Sequence, residues 1–255
     1  MTALLANLPA WTVIVTLVLA RTGCAIMLLP GVGEADAPAI TRAGIAVTMT
    51  VLLAPIVAPL VPPGIVDLSH FARALAAEML TGIWLGWLAR VIVLTLPMAG
   101  QIIAHMIGVS NVLQNEAGVP SNTALSRLFT LAVPVVLLSS GLYALPLSAL
   151  VNSYQAIPPG QFLPVRLGTE LAITTATRAF ALSLQLAAPF VVLSMVWFVA
   201  VGLAARLSSR LQIYFLAAPS QILGGTILLA LLITTLLSVW QHVTTTLFAE
   251  LPGVR

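Results

Sequence analysis

With 255 residues, 60% of them hydrophobic and only 7% charged, the chain stands far from the roughly 25% charged residues of an ordinary soluble domain. Its net charge of +3 comes from ten arginines without a lysine, scattered at segment ends, which argues against nucleic-acid binding and rules out a phosphate-cradling loop with its lysine. The run from Leu211 to Ala249 carries no formal charge and exceeds the roughly 20 apolar residues that cross a bilayer core. Only helices and closed barrels satisfy their backbone in lipid, and strand-like alternation is absent, so the chain reads as a single all-α membrane protein spanning 1–255.

The amino terminus lacks a basic stretch and an A-x-A cleavage site, so the first apolar segment, Trp11–Leu29, is expected to be a retained helix. Arg21 interrupts it, and Cys24, the only cysteine, acts there as a small hydrophobe. The second segment, Gly44–Val61, lies between Gly31–Pro38 and the breaker run Pro62-Pro63-Gly64. Leu68, Phe71, Leu75 and Met79 then recur at helical spacing around Arg73 and Glu78. That pattern fits an amphipathic interfacial helix or the lower end of the third segment, Met79–Ala99, and the second reading is favoured.

Within the third segment Gly82 and Gly86 form a G-x-x-x-G pattern, and Gly100 and Ala104 continue the row of small residues that permits close helix packing in lipid. Charges inside membrane segments are expensive and point to function by default. Here they are Arg21, Glu78 and Arg90, whose structural alternative is snorkelling or mutual pairing.

The connection Gly108-Val109-Ser110-Asn111-Val112-Leu113-Gln114-Asn115-Glu116-Ala117-Gly118-Val119-Pro120-Ser121-Asn122 is polar and long, and follows a helix carrying Gln101 and His105. Long loops between packed elements are commonly functional, and this one reads as a moving or occluding element. Asn122 is placed to cap a helix starting near Ala124. The last three apolar segments are Leu128–Val151, Ala179–Ala205 and Leu216–Leu237. Pro97, Pro134, Pro146, Pro189 and Pro219 lie in apolar runs and predict kinked or broken helices. Arg206-Leu207-Ser208-Ser209-Arg210 is the clearest basic loop and is expected on the cytoplasmic side.

Enzyme chemistry finds little in these residues. A serine nucleophile at Ser110 would need His105 or His242 as base, yet His105 lies on another helical face and no glycine follows Ser110. His70, His105 and His242 are too far apart in sequence to suggest a metal site, so neither catalytic residues, a metal nor a cofactor is expected. A small secondary transporter is the rival class, though no internal repeat supports it.

An ordered series of motifs resembles the FliR family, the R subunit of the flagellar type III export gate, to which the injectisome T subunit is closely related. The series runs through Leu19-Ala20-Arg21-Thr22-Gly23, Leu29-Pro30, Arg42-Ala43-Gly44, Glu78, Gly82 and Leu85-Gly86. It continues with Ala99-Gly100-Gln101 through His105-Met106, Leu125-Ser126-Arg127-Leu128-Phe129, Ser153-Tyr154, Ile157-Pro158, Gly160 and Leu186-Ala187-Ala188-Pro189. It closes with Arg206, Leu211-Gln212-Ile213-Tyr214-Phe215 and Pro219-Ser220-Gln221-Ile222-Leu223. The chain departs from the family at Ser220-Gln221, where Leu-Lys is usual.

The resemblance implies kinked helical hairpins that look like a fused P-like part, 1–161, and Q-like part, 162–255. It implies a channel-forming subunit in the bacterial inner membrane, without enzyme activity, at the flagellar basal body or, as the alternative, as the T subunit of an injectisome export apparatus. The implied partners are the P and Q export-gate subunits, the B and A subunits of the export apparatus, membrane lipid and unfolded export substrates in transit. The family's plug loop falls on Gly108–Asn122, with Val112 and Leu113 as sealing residues and Gly118 and Pro120 as shaping residues.

Overall fold

The computed structural model describes residues 8–33, 38–62, 68–109, 123–207 and 213–254. Among them all regular structure is helical. The eight α-helices among these residues are α1 (Leu8–Leu28), α2 (Ala39–Val57, followed by a 3₁₀ turn at Ala58–Leu60), α3 (Leu68–Val93), α4 (Thr95–Met106), α5 (Ala124–Ser140), α6 (Ala144–Ala156), α7 (Val165–Leu207) and α8 (Ile213–Ala249). Among the described residues five apolar helical stretches are long enough to cross a bilayer, and the bent α5–α6 pair together has the length and composition of a sixth, as a broken span or a re-entrant loop. Three buried threonine hydroxyls inside these stretches bond to their own helix. Thr22, Thr50 and Thr81 each lie at 2.7–2.8 Å from the carbonyl four residues earlier, the usual way a threonine is tolerated in an apolar helix.

Hydropathy located the six segments, while backbone chemistry set their ends. α3 runs unbroken from Leu68, so the Leu68–Met79 stretch is its lower end rather than a separate interfacial helix. It stops at Leu94 because Pro97, the third residue of α4, has no N–H to give to the Val93 carbonyl. The expected single segment Leu128–Val151 is instead two helices bent by 74°. Gly141 turns the chain there with φ of 73°, a conformation that side chains other than glycine rarely adopt. Pro146 falls in the first turn of α6, where a missing N–H costs little. Pro134, Pro189 and Pro219, joined by Pro55, stay inside continuous helices. α7 starts well before Ala179 and α8 continues past Leu237, because helical hydrogen bonds carry on through polar residues such as Glu170 and Gln241. The basic-loop residues Ser208–Arg210 lie outside the described residues.

Two compact units make up the chain. The first comprises Met1–Val93, Pro134–Ala176 and Thr245–Arg255; the second, Leu94–Val133 and Thr177–Thr244. In the first, α1 packs on both α3 and α2, with Ala25, Ile26, Ala46, Leu85 and Leu150 forming one part of the core. The Thr22 and Thr50 hydroxyls meet at 2.8 Å between α1 and α2. In the second unit Ile103, Phe129, Phe190 and Trp240 are fully buried, and the Trp240 indole N–H donates to the Thr95 hydroxyl at 2.8 Å.

Candidate functional site

Two polar constellations stand out against the apolar background, one in each unit. In the first unit, Arg21 of α1 and Glu78 of α3 form an ion pair with both side chains fully buried. The guanidinium grips the carboxylate with two bonds, Nε to Oε2 at 2.7 Å and Nη2 to Oε1 at 2.9 Å, the fork geometry in which such pairs are strongest. Its remaining reach is also used. Nη1 donates to the Ser153 hydroxyl at 3.2 Å, Nη2 to the Ile157 carbonyl at 3.0 Å, and the guanidinium lies 4.2 Å from the centre of the Tyr154 ring. Glu78 Oε1 accepts a further bond from the Gly160 N–H at 2.9 Å.

Backbone proximity makes this possible. A Cβ on Gly82 would collide with the Arg21 carbonyl oxygen, and one on Gly86 would meet Leu28 and Ala25, so both glycines face α1. Arg90 sits partly buried in the last turn of α3, where a cation complements the helix dipole.

The second constellation brackets the long loop. Gly108 ends α4 with φ of 80°, and its N–H reaches the His105 carbonyl at 3.3 Å. Two residues earlier, the Met106 carbonyl accepts the Gln221 side-chain N–H at 2.8 Å, while the Ser194 hydroxyl lies 3.3 Å from the Met106 sulfur. Ile107 rests on Gly225, where a Cβ would come within 2.5 Å of it. On the far side of the loop, the N–H and the hydroxyl of Thr123 both donate to Gln101 Oε1 at 3.1 Å. Thr123 in turn caps α5, accepting the Ser126 N–H at 3.2 Å. Asn122, expected to cap this helix, lies outside the described residues. Gly100 lies against Ser126 and Phe129 of α5, and Ala104 is fully buried. A cavity of about 340 Å³ opens beside the Met106 root, lined chiefly by Phe190, Trp197, Gly224 and Leu228.

Of the loop itself, Gly108 and Val109 are described, and Ser110–Asn122 lie outside the described residues. The structure brings Arg21 and Glu78 together with Ser153, Tyr154, Ile157 and Gly160, all residues that carried the family resemblance without a role assigned to them. It separates the small residues by partner, with Gly82 and Gly86 toward α1 and Gly100 toward α5. Gln101 and Gln221 went unassigned from sequence. The available signal was an amide side chain inside an apolar helix, which demands a partner in lipid.

A family model described as "Bacterial export proteins, family 1" matches residues 12–247. The flagellar biosynthetic protein FliR of Caulobacter vibrioides is 32% identical over 228 residues, covering 89% of this chain and 91% of the relative. Proteins of the same name from Escherichia coli and Bacillus subtilis are 26% and 25% identical, covering 97% and 89% of this chain and 92% and 88% of their own lengths.

Proposed function

The chain belongs to the bacterial export proteins of family 1, together with FliR proteins of flagellar biosynthesis, and on that premise we propose that it is a channel-forming subunit of the flagellar export gate. Its membership and its long apolar helices make it an integral membrane component of the flagellar export apparatus. In the finer reading it joins P and Q subunits in the inner membrane at the basal body, contacts the B and A subunits, and helps conduct unfolded substrates. Its residues 1–161 would play the P-like part and 162–255 the Q-like part. Gly108–Asn122 plugs the closed channel.

The observation that carries the plug reading is the bracing of both loop roots, Met106 by Gln221 and Thr123 by Gln101. These side-chain hydrogen bonds fix where the loop leaves α4 and where it enters α5, whereas a solvent-exposed connector needs no such bracing. Val112 and Leu113 supply apolar sealing contacts, and Gly118 and Pro120 shape the loop.

Deleting Val112–Glu116 tests the reading in cells. The expected result is a complex that still assembles but leaks small ions, read as collapse of a sodium or proton gradient. An assembled variant as tight as the unaltered protein overturns the plug. Purification in mild detergent through a tag at Arg255 tests the assembly. P- and Q-type subunits at fixed ratios are expected, and a well-folded lone protein from its native host would sink the channel-subunit reading.

A further inference from the structure

The Arg21–Glu78 pair holds more than two helices together, because it also takes up one carbonyl and one N–H of a turn far along the chain. Arg21 binds the Ile157 carbonyl and Glu78 binds the Gly160 N–H, so the two ends of the Ile157–Gly160 turn each hang on a different member of one ion pair. We propose that this pair is a register pin, a conformational device that couples the alignment of α1 against α3 to the shape of the turn from which α7 departs.

Geometry supports the coupling. The guanidinium is planar and rigid, and its Nε, Nη1 and Nη2 are committed to three different residues on three segments. Sliding α1 past α3 by one residue shifts the guanidinium by roughly 1.5 Å relative to Glu78, enough to break the two-bond fork and to leave the turn unable to keep its contact to Arg21 and its contact to Glu78 at once. A lysine, with one ammonium in place of a fork, cannot hold Glu78, Ser153 and Ile157 in fixed directions at once. The close approach of α3 at Gly82 leaves the Arg21 backbone little room to adjust in compensation.

Energetics point the same way. A buried ion pair adds little stability over well-packed apolar side chains of similar volume, and its best-attested effect is to fix register. The pin's distinguishing signature is therefore order in the turn, not overall stability. Ser153, through which Arg21 reaches α6, also stands beside Asn152, whose side chain donates to the Gly253 carbonyl at 2.7 Å. The carboxy-terminal turn is thus secured one residue away from the pin.

Hydrogen exchange on the full-length protein in lipid nanodiscs tests the proposal. In the unaltered protein the Gly160 amide, though it lies in a turn, is expected to be protected as well as helix-core amides of α1 and α3. Exchange at the rate of an open turn overturns the pin without any mutation. In R21M/E78L, which keeps apolar volume while removing both charges, Gly160 is expected to exchange about tenfold faster, the equivalent of one charge-assisted hydrogen bond, while α1 and α3 keep their protection. Unchanged protection at Gly160, or an equal loss across α1 and α3, shows that the pair does not control the turn. R21K is expected to loosen the turn as R21M/E78L does, and a lysine that preserves Gly160 protection also overturns the proposal.

Discussion

Arg21 and Glu78 are an asymmetric arrangement for mutation. Removing one partner strands a charge in a fully buried site, whereas removing both leaves a cavity that apolar atoms can fill. Arg21→Met or Glu78→Leu alone is expected to cost about 3–5 kcal/mol, seen as a lowered thermal midpoint and reduced membrane levels. Combining the two is expected to restore part of that loss, and an additive double variant would show that the pair is not coupled. Gln221 poses a different question, because it stands where the family resemblance leads to the expectation of a lysine. In this chain the side chain donates a neutral hydrogen bond to the Met106 carbonyl. Gln221→Lys keeps a donor and is expected to preserve swimming in a complemented deletion strain, whereas Gln221→Leu forfeits about 1 kcal/mol at the loop root and is expected to reduce it. Equal behaviour of the two variants would mean that the bond is idle.

Among the elements, the α5–α6 bend is the one that hydropathy cannot see. Both halves are apolar, and the break rests on one backbone conformation at Gly141, around which a Cβ would find open space. Gly141→Ala therefore meets no clash but must adopt a positive φ, at a cost of about 1–2 kcal/mol. Asn is expected to be milder than Ala at this position, and thermal unfolding in detergent compares them. The α1–α3 contact behaves differently. Gly82→Leu has nowhere to go because the Arg21 backbone fills the space, so it is expected to abolish folded protein rather than merely destabilise it. Recovery of normal amounts of that variant would contradict the close approach. The break between α3 and α4 was legible in part, since Pro97 announces that one helical hydrogen bond is missing.

For the whole molecule, α7 and α8 set the terms. At roughly 1.5 Å per residue, the 37 residues of α8 extend for about 55 Å, well beyond a hydrocarbon core of about 30 Å. In the most apolar 18-residue window of its stretch from Ala217 to Ala249 only 11% of the residues are buried within this chain. Sequence alone determined the all-α membrane class, the six apolar segments and the family, because each rests on local hydropathy or on motifs kept in chain order. Tertiary structure decided which charges pair and which amides brace the loop. The reason is separation: Arg21 meets Glu78 across 57 positions and the Ile157 carbonyl across 136, and Gln221 meets Met106 across 115. A periodic pattern carries no information about partners so distant, and only packing brings them within hydrogen-bond reach.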